Sequence, residues 1–364
     1  MENIALNDVT RLMSRGINSL LQDALRVSVG NPGFAQFLLK SVLWQKRAAG
    51  RRARLEKKGL HVPAFMICSI TGRCNLRCKG CYAHREFGGV PDELTAGRWL
   101  SLWQEARDLG VSFVLVAGGE PFVRQDVIDA IRDVPEIIFP VFTNGLLLKD
   151  ETLAQVRGIN NLVPVISLEG FQHETDDRRG EGVYRRLEET IGRLAANKSF
   201  FGVSLTVTEA NASIVTSDEF ISEVVAAGCR LFFFVEYVPV QEGTENLVLS
   251  FPVRSALRRR VVELREKYSA LFVAFPGDEE EMGGCLAAGR GFVHINPAGN
   301  LEPCPFAPYS DANVRDVSLA EALRSRFLDE VRARHTLLNE GASGCALWEN
   351  RELVRHLLSQ EASS

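Results

Sequence analysis

From residue 64 onward the chain alternates short β-rich runs with helical segments six times, and this rhythm restricts its fold more than any other feature. The runs are Phe65–Ile70, Ser112–Ala117, Ile137–Thr143, Leu162–Leu168, Phe201–Val207 and Leu231–Val238. Between and after them, helices are expected near 95–109, 124–133, 150–157, 184–197, 217–227 and 253–267. Thr216 and Glu219 have capping-box spacing, and Gly110 and Gly228 stand where helices would stop. Several runs are nearly all apolar, as strands are when helices cover a parallel sheet. Six βα units in succession imply a barrel or part of one, with chemistry at the C-terminal ends of its strands. The alternation alone does not separate this from a doubly wound sheet.

The flanks of this region follow other patterns. Residues 1–60 read as two helices, with Ile17, Leu20, Leu21 and Ala24 at helical spacing in the first and Phe34, Phe37, Leu38 and Val42 in the second. Gly30-Asn31-Pro32-Gly33 breaks the chain between them. From Lys40 to Lys58 there are eight Lys/Arg against one Glu, a local charge of +7. Such a helix, over residues 34–58, could make peripheral contact with an anionic membrane surface. The preferred reading is a solvated helix whose apolar stripe packs on the main domain. Beyond residue 282, Gly291–Ile295 and Leu301–Cys304 flank Asn296–Asn300 as a hairpin, and Ser318 with Glu321 opens a helix. A further helix follows Cys345. The expected organisation is a helical extension over 1–60, a barrel over 61–275 and a small cysteine-bearing α+β domain over 276–364.

Bulk properties remove several function classes. In 364 residues the formal charge is −4, which gives no reason to expect a nucleic-acid partner. No apolar run reaches the roughly 20 residues that span a bilayer. The first residues, MENIALNDVTRLM, lack a basic segment followed by an apolar core, so they do not read as a secretory signal. A cytoplasmic setting is the default. In that reducing compartment, eight cysteines read as metal ligands or catalytic thiols rather than disulfides. Cys68 and Cys229 lie in apolar surroundings and read as small buried hydrophobes. The other six form two spaced groups.

The first group, Cys74, Cys78 and Cys81, directly follows the first β-rich run in Thr71-Gly-Arg-Cys-Asn-Leu-Arg-Cys-Lys-Gly-Cys-Tyr82. Thiolates are the usual ligands of iron–sulfur clusters. Three of them leave one iron of a cubane open for coordination chemistry. A structural zinc site wants four closed ligands, generally in CxxC pairs. His84 is the sole nearby candidate for a fourth. The second run ends in Ala117-Gly118-Gly119-Glu120-Pro121, where glycines allow close main-chain approach and a carboxylate can complement an ammonium.

These elements resemble the radical S-adenosylmethionine (AdoMet) superfamily, whose CxxxCxxC loop follows the first barrel strand and whose second strand ends in GGEP. The resemblance covers residues 64 to about 346. It implies a partial (βα)6 barrel of the TIM type and a [4Fe–4S] cluster on Cys74, Cys78 and Cys81. AdoMet would be chelated at the open iron and reductively cleaved to methionine and a 5′-deoxyadenosyl radical. It further implies that Gly118, Gly119, Glu120 and Pro121 hold the methionine amino group. Ser167 and Glu169, at the end of the fourth run, correspond to polar groups that bind AdoMet in similar enzymes. Asp177-Arg178-Arg179-Gly180 resembles an arginine-glycine element of related members, so Arg179 is either a contact to the AdoMet carboxylate or a surface residue. Tyr82 follows the third cysteine, whereas many members have an aromatic residue just before it, where this chain has Gly80. Thr143-Asn144-Gly145, Glu236 and Tyr237 end strands at the same barrel face, where a substrate would sit.

The second group is Cys285, Cys304 and Cys345. Cys285, thirteen residues, Gly299, four residues and Cys304 resemble the opening of the auxiliary-cluster domains of this family, called SPASM in the long form and twitch in the short. With Cys345 as the third ligand, a twitch-like second [4Fe–4S] cluster is implied, its fourth ligand from substrate, water or another side chain. The expected function is hydrogen abstraction from a substrate. A small metabolite is favoured by the short auxiliary domain, with a peptide or lipid as the other classes. A flavodoxin- or ferredoxin-type reductant is the implied partner. The alternative, an iron–sulfur electron carrier or metal-binding scaffold without AdoMet turnover, has no need of an AdoMet pocket.

Overall fold

The computed structural model describes residues 6–27, 32–90, 92–275, 283–338, 341 and 343–361. Its strands are β1 (Phe65–Ser69), β2 (Phe113–Ala117), β3 (Phe139–Thr143), β4 (Leu162–Leu168), β5 (Gly202–Val207) and β6 (Leu231–Glu236). Three more follow: β7 (Leu271–Phe275), β8 (Phe292–Ile295) and β9 (Leu301–Glu302). All nine form one sheet in the order β7-β6-β5-β4-β3-β2-β1-β8-β9. Every pairing is parallel except the β8–β9 hairpin. The sheet curls so far that Phe275 of β7 and Phe292 of β8 bring their rings to 5.5 Å. This is the partial barrel expected from the alternation.

The helices up to the fourth strand are α1 (Leu6–Val27), α2 (Pro32–Glu56), α3 (Tyr82–Phe87), α4 (Ala96–Leu109), α5 (Gln125–Ala130) and α6 (Asp150–Arg157). The barrel continues with α7 (Gln172–Arg179), α8 (Val183–Ala196), α9 (Ala212–Val215), α10 (Asp218–Ala226) and α11 (Phe251–Lys267). The C-terminal segment adds α12 (Leu319–Ala322), α13 (Arg326–Ala333), α14 (Ala346–Glu349) and α15 (Arg351–Glu361). Strand residues facing these helices are buried, and Trp99 and Trp103 of α4 are fully so, with Trp103 edge-on to Phe139 at 5.0 Å. Gly110 ends α4 at φ +102°, and a side chain there would come within 2.6 Å of the Ala48 carbonyl. Glycine serves both needs at once. The Ser318–Glu321 capping box is present, whereas α10 is capped by Ser217, not by Thr216, whose hydroxyl donates back to the Ala212 carbonyl. Cys68 and Cys229 are fully buried, and burial pushes both thiols up to about 12, in keeping with a packing role.

Two features differ from the sequence expectation. A seventh parallel strand, β7, follows α11. The 291–304 hairpin is not set apart from the barrel, because β8 pairs with β1 along Phe65–Cys68 and extends the same sheet. Of the expected break at Gly30–Gly33, residues 30 and 31 lie outside the described ones whereas Pro32 and Gly33 already open α2; the expected boundary at 275/276 also touches residues outside the described ones.

The N-terminal helices dock on the barrel. Val9, Met13, Ile17, Leu21 and Ala24 of α1 and Phe37, Leu38 and Ala48 of α2 are buried, as the preferred reading of the apolar stripe expected. Part of the basic stretch serves this docking. Arg52, only 1% exposed, donates to the Gly110 carbonyl, to Ser112 Oγ at 2.9 Å and to Ser14 Oγ at 3.1 Å. Arg51 donates to the Arg107 carbonyl at 2.8 Å. Burial pushes the Arg52 guanidinium down to about 10, which leaves it charged at neutral pH. On the outer side of α2, Leu39 and Leu43 are exposed. Among the described residues, no helix is long and apolar enough to cross a membrane.

Replacing Arg52 by Met would strand three buried or half-buried acceptors that one guanidinium now satisfies. Arg52→Met should lower the unfolding free energy by roughly 2–4 kcal/mol in denaturant titrations. Arg52→Lys should recover only part of that, because an ammonium lacks the planar fork that spans the partners.

Candidate active site

The cysteine loop leaves β1 at the C-terminal end of the sheet, and its shape is imposed by neighbouring loops. Gly119 N–H donates to the Thr71 carbonyl at 2.7 Å and Glu120 N–H to the Arg73 carbonyl at 2.8 Å. A side chain on Gly118 would stand 2.4 Å from Thr71 O, and one on Gly119 would stand 2.2 Å from Arg73 O. The two glycines are thus required by the close approach of the loop after β2 to the loop after β1. On another side Glu93 accepts from Thr71 Oγ1 at 2.7 Å and Gly72 N at 2.8 Å, and is paired with Arg124 at 3.1 Å. From α7, the Arg178 carbonyl accepts from Lys79 N–H at 2.9 Å, between the second and third cysteines.

Glu120 is fully buried and spends its oxygens on protein donors. It accepts from Phe122 N at 3.1 Å, Thr143 Oγ1 at 2.7 Å and Asn144 N at 2.7 Å. Burial raises its carboxyl to about 6 against these three hydrogen bonds, which favour the ionised form. Its partner loop then reaches the cysteines: Asn144 Nδ2 donates to Asn75 Oδ1 at 2.7 Å and lies 3.8 Å from Cys74 Sγ. Leu76 N–H also points to Cys74 Sγ, at 3.4 Å.

Across the mouth, Glu169 is 1% exposed and accepts from both Arg178, at 2.5 Å, and Arg179, whose Nε lies at 2.9 Å. Asn211 holds the Glu169 carbonyl at 2.9 Å. One carboxylate thus faces two guanidiniums, and the excess positive charge reaches Cys78. Burial pushes the Cys78 thiol up, and Arg179 and Arg178 oppose that rise. Burial likewise raises the Cys74 thiol.

The three cysteines open onto one cavity of about 1100 Å³. Tyr82, Gly118, Gly119, Ser167 and Arg179 of the expected site line it, together with Asn144 and Arg178. Glu120, Pro121 and Glu169 lie behind the wall, where the carboxylates brace the lining groups. Tyr237 also lines the cavity, its hydroxyl donating to Thr244 at 2.8 Å. A side chain on Gly80, at φ +67°, would meet the Tyr237 hydroxyl at 2.4 Å, so this ring fills the space beside the third cysteine. Among the described residues no three His, Cys, Asp or Glu side chains converge on a single metal ion. Three separated thiols with sulfur-directed donors and nearby guanidiniums suit a cluster in which each iron takes one thiolate, and do not suit a closed zinc site.

Of the second group, Cys304 is buried on the wall of the same cavity. The turn that carries Cys285 runs beside it through a 3.0 Å bond from Ala288 N–H to the Pro303 carbonyl. Cys345 precedes α14, next to Gly344, where an added side chain would press on Arg254, the 2.6 Å partner of buried Glu236. Sequence reasoning missed the bracing groups Glu93, Arg178 and Asn211. Arg178 stood beside a residue already singled out, but Glu93 and Asn211 carry no motif.

A family model described as the radical SAM superfamily matches residues 68–236. The sporulation killing factor maturation protein SkfB of Bacillus subtilis is 24% identical over 269 residues, 72% of this chain and 65% of SkfB. The chain thus spans slightly less than two thirds of that relative. The AdoMet-dependent heme synthase of Methanosarcina barkeri is 24% identical over 330 residues, 83% of this chain and 86% of the synthase. Among solved structures, Streptococcus suis SuiB bound to the precursor peptide SuiA superposes with a TM-score of 0.63 at 18% identity, covering 81% of this chain and 72% of SuiB. That likeness is one of fold.

Two expectations follow from the bracing. Gly119→Ala should force the loops after β1 and β2 apart and reduce the iron taken up on anaerobic reconstitution, while far-ultraviolet circular dichroism stays close to wild type. The raised Glu120 carboxyl means that the folded state holds this proton more tightly than the unfolded chain. Its contribution to stability is therefore full below about pH 4.5 and lost as pH rises through about 6. On going from pH 7 to pH 5, the wild type should gain roughly 1 kcal/mol of unfolding free energy relative to Glu120→Gln.

Proposed function

We propose that this chain is a radical SAM enzyme with a [4Fe–4S] cluster and AdoMet as cofactors, a reading supported by the family model that matches residues 68–236, and we assign which residues do the work and on what. The observation that carries the proposal is the opening of Cys74, Cys78 and Cys81 onto a single large cavity whose opposite walls are Gly118–Gly119, Ser167 and Arg178–Arg179. When bound, the cluster and AdoMet supply reductive cleavage to a 5′-deoxyadenosyl radical that takes a hydrogen atom from the substrate. The protein supplies binding, orientation and exclusion of water.

Each of the three cysteines gives one thiolate. Leu76 N–H and Asn144 Nδ2 point at the Cys74 sulfur, and the guanidiniums of Arg178 and Arg179 offset the negative charge at Cys78. Gly118 and Gly119 offer main-chain groups to the methionine part of AdoMet, with Pro121 fixing the turn behind them. Ser167 and Arg179 offer polar contacts from the opposite wall, and Tyr82 an aromatic edge. Glu120 and Glu169 are assigned a positioning part: the first ties the β2 and β3 loops together, the second holds both arginines in place. Cys285, Cys304 and Cys345 are assigned to a second cluster in the 276–364 segment, with Cys304 its point of contact with the cavity.

The enzyme needs a reductant, for which a flavodoxin- or ferredoxin-type donor is proposed. For the substrate, the peptide bound by SuiB weighs toward a peptide over the free small metabolite that the short auxiliary segment suggested. The heme synthase relative keeps larger non-peptide molecules in view. An electron carrier has no use for a chamber of this size beside its cluster.

The test is anaerobic iron and sulfide quantitation with a parallel assay of 5′-deoxyadenosine under dithionite. Cys78→Ala should lose roughly four irons per chain and all AdoMet cleavage. Cys304→Ala should also lose roughly four irons, but keep a measurable rate of cleavage. Loss of cleavage in both variants alike would remove the second-cluster assignment, and retention in Cys78→Ala would remove the first.

A further inference from the structure

The cavity does not end at the cofactor-facing mouth. It continues down the inside of the barrel, where Phe65, Phe113, Pro140, Val163, Leu231 and Leu271 line it toward the N-terminal ends of the strands. In a filled barrel such inward side chains interlock into a core. Here Phe113, Leu115, Phe142, Phe233 and Val273 keep solvent-accessible surface although they point inward, while their outward neighbours are buried under helices. Ile17, Leu20 and Ala24 of α1 close the lower end. The same cavity reaches the surface beside α1, where Ser19, Asp23 and Arg26 face Arg258 and Val262 of α11. The lumen is therefore an elongated apolar channel, narrowed at mid-height where the Phe142 and Phe233 rings meet across it at 5.1 Å. One end is at the cysteines, and the other is at a polar rim between α1 and α11.

We propose that this tube binds a long aliphatic chain of the substrate, placing the carbon that reacts beside the cysteine loop. The inference rests on the radical-enzyme reading for the mouth and adds that the substrate, whether peptide or not, carries an aliphatic tail that the tube holds. Polar side chains are found at the far rim, in Asp23, Arg26, Arg258 and Arg265, and at the cysteine end, in Asn144, Arg178, Arg179 and Glu236, with Ser167, Ser204 and Thr206 on the β4–β5 wall. Charged or amide groups placed between the two ends would lose water without gaining partners. A peptide main chain would carry one donor and one acceptor per residue into that space. The barrel cannot answer them, because its own backbone groups are paired along the sheet from β7 to β9. The length also excludes a single amino-acid side chain. Six residue steps along β6 and its exit, from Leu231 to Tyr237, correspond to roughly 20 Å along the strand. Burial of successive methylenes is the one interaction such a wall offers, and it adds up with chain length.

The experiment measures binding to the full-length reconstituted protein, without turnover, by displacement of the fluorescent fatty acid 11-(dansylamino)undecanoic acid with a series of primary alcohols. In wild type, each added methylene should tighten binding by about three- to fourfold through the series. Leu115→Trp and Val273→Trp, which put bulk into the tube from opposite walls, should end that gain at a shorter alcohol. An unfolded variant would lose binding of every length and so would not mimic the shortened cut-off. Three results overturn the proposal: no saturable displacement from a folded wild type, an unchanged cut-off in both variants, or displacement by the peptide Leu-Leu-Leu-Leu-Leu-Leu but not by the alcohols. None of these would touch AdoMet cleavage, which fails or stands on the cysteine variants alone.

Discussion

The contact of Gly118 and Gly119 with Thr71 and Arg73 is the point on which the site depends. The cysteine loop makes little secondary structure before α3, so it has no ladder of its own to fix where three thiols point. Its carbonyls are instead taken by amides from the next βα loop, at 2.7 and 2.8 Å, with no room for a Cβ between the two main chains. Glu120 extends the bracing by one more strand, since the carboxylate that follows the glycines binds the turn after β3. Three consecutive strand ends are thereby locked into one rigid rim. Burying a carboxylate for this purpose is costly, and the upward displacement of Glu120 toward 6 shows that cost. Three hydrogen bonds to the ionised form offset part of it.

A rim held this way lets the barrel below remain open. Most of the packing lies outside the sheet, between the outward strand faces and the helices, as in the Trp99, Trp103 and Phe139 contacts. β7 and β8 meet through the Phe275 and Phe292 rings, so the wall is nearly complete, and inside it the Phe142 and Phe233 rings meet across the lumen at 5.1 Å. The N-terminal helices cover the far side, with Arg52 as an anchor that reads the carbonyl at the end of α4 and the hydroxyls of Ser112 and Ser14. A strongly basic sequence is thus partly explained by contacts inside the molecule.

The sequence made the barrel legible because its strands are short apolar runs separated by helices with readable ends, such as the Gly110 stop and the Ser318 box. The bounds of β4 and α6 came out as expected. It did not reveal β7, because Leu271–Phe275 is a five-residue apolar run after a long helix, and such a run has no periodicity to distinguish strand from buried turn. The pairing of β8 with β1 was equally hidden, since partners more than two hundred residues apart share no local pattern. In the site, the cysteine spacing and the Gly-Gly-Glu run were visible as motifs. The orientation of Glu120 and the role of Glu169 were not. A carboxylate beside an expected ammonium site reads from sequence as a ligand, and only the positions of Thr143, Asn144, Arg178 and Arg179 turn it into a brace.

The same sheet contact that sequence could not foresee joins the two cysteine groups. Ser69 at the end of β1, His294 on β8 and Glu302 on β9 form a buried row, with Ser69 Oγ 2.9 Å from His294 Nε2 and His294 Nδ1 2.7 Å from Glu302. A carboxylate at Nδ1 fixes that nitrogen as the donor, which leaves Nε2 to accept from the serine hydroxyl. The order of side chains is that of a nucleophilic triad, but all three are shut off from solvent and absent from the cavity wall, so no substrate reaches the serine. Its effect is mechanical. Ser69 lies five residues before Cys74 and Glu302 two before Cys304, so the row sets the spacing between the cysteine loop and the auxiliary hairpin. Tyr82 and Phe306 complete the join above it, with ring centroids 5.3 Å apart beside Cys81 and Cys304. A polar row in the sheet and an aromatic pair at the mouth therefore hold the cysteine loop and Cys304 against one chamber, and neither can shift without breaking buried hydrogen bonds that have no water to replace them.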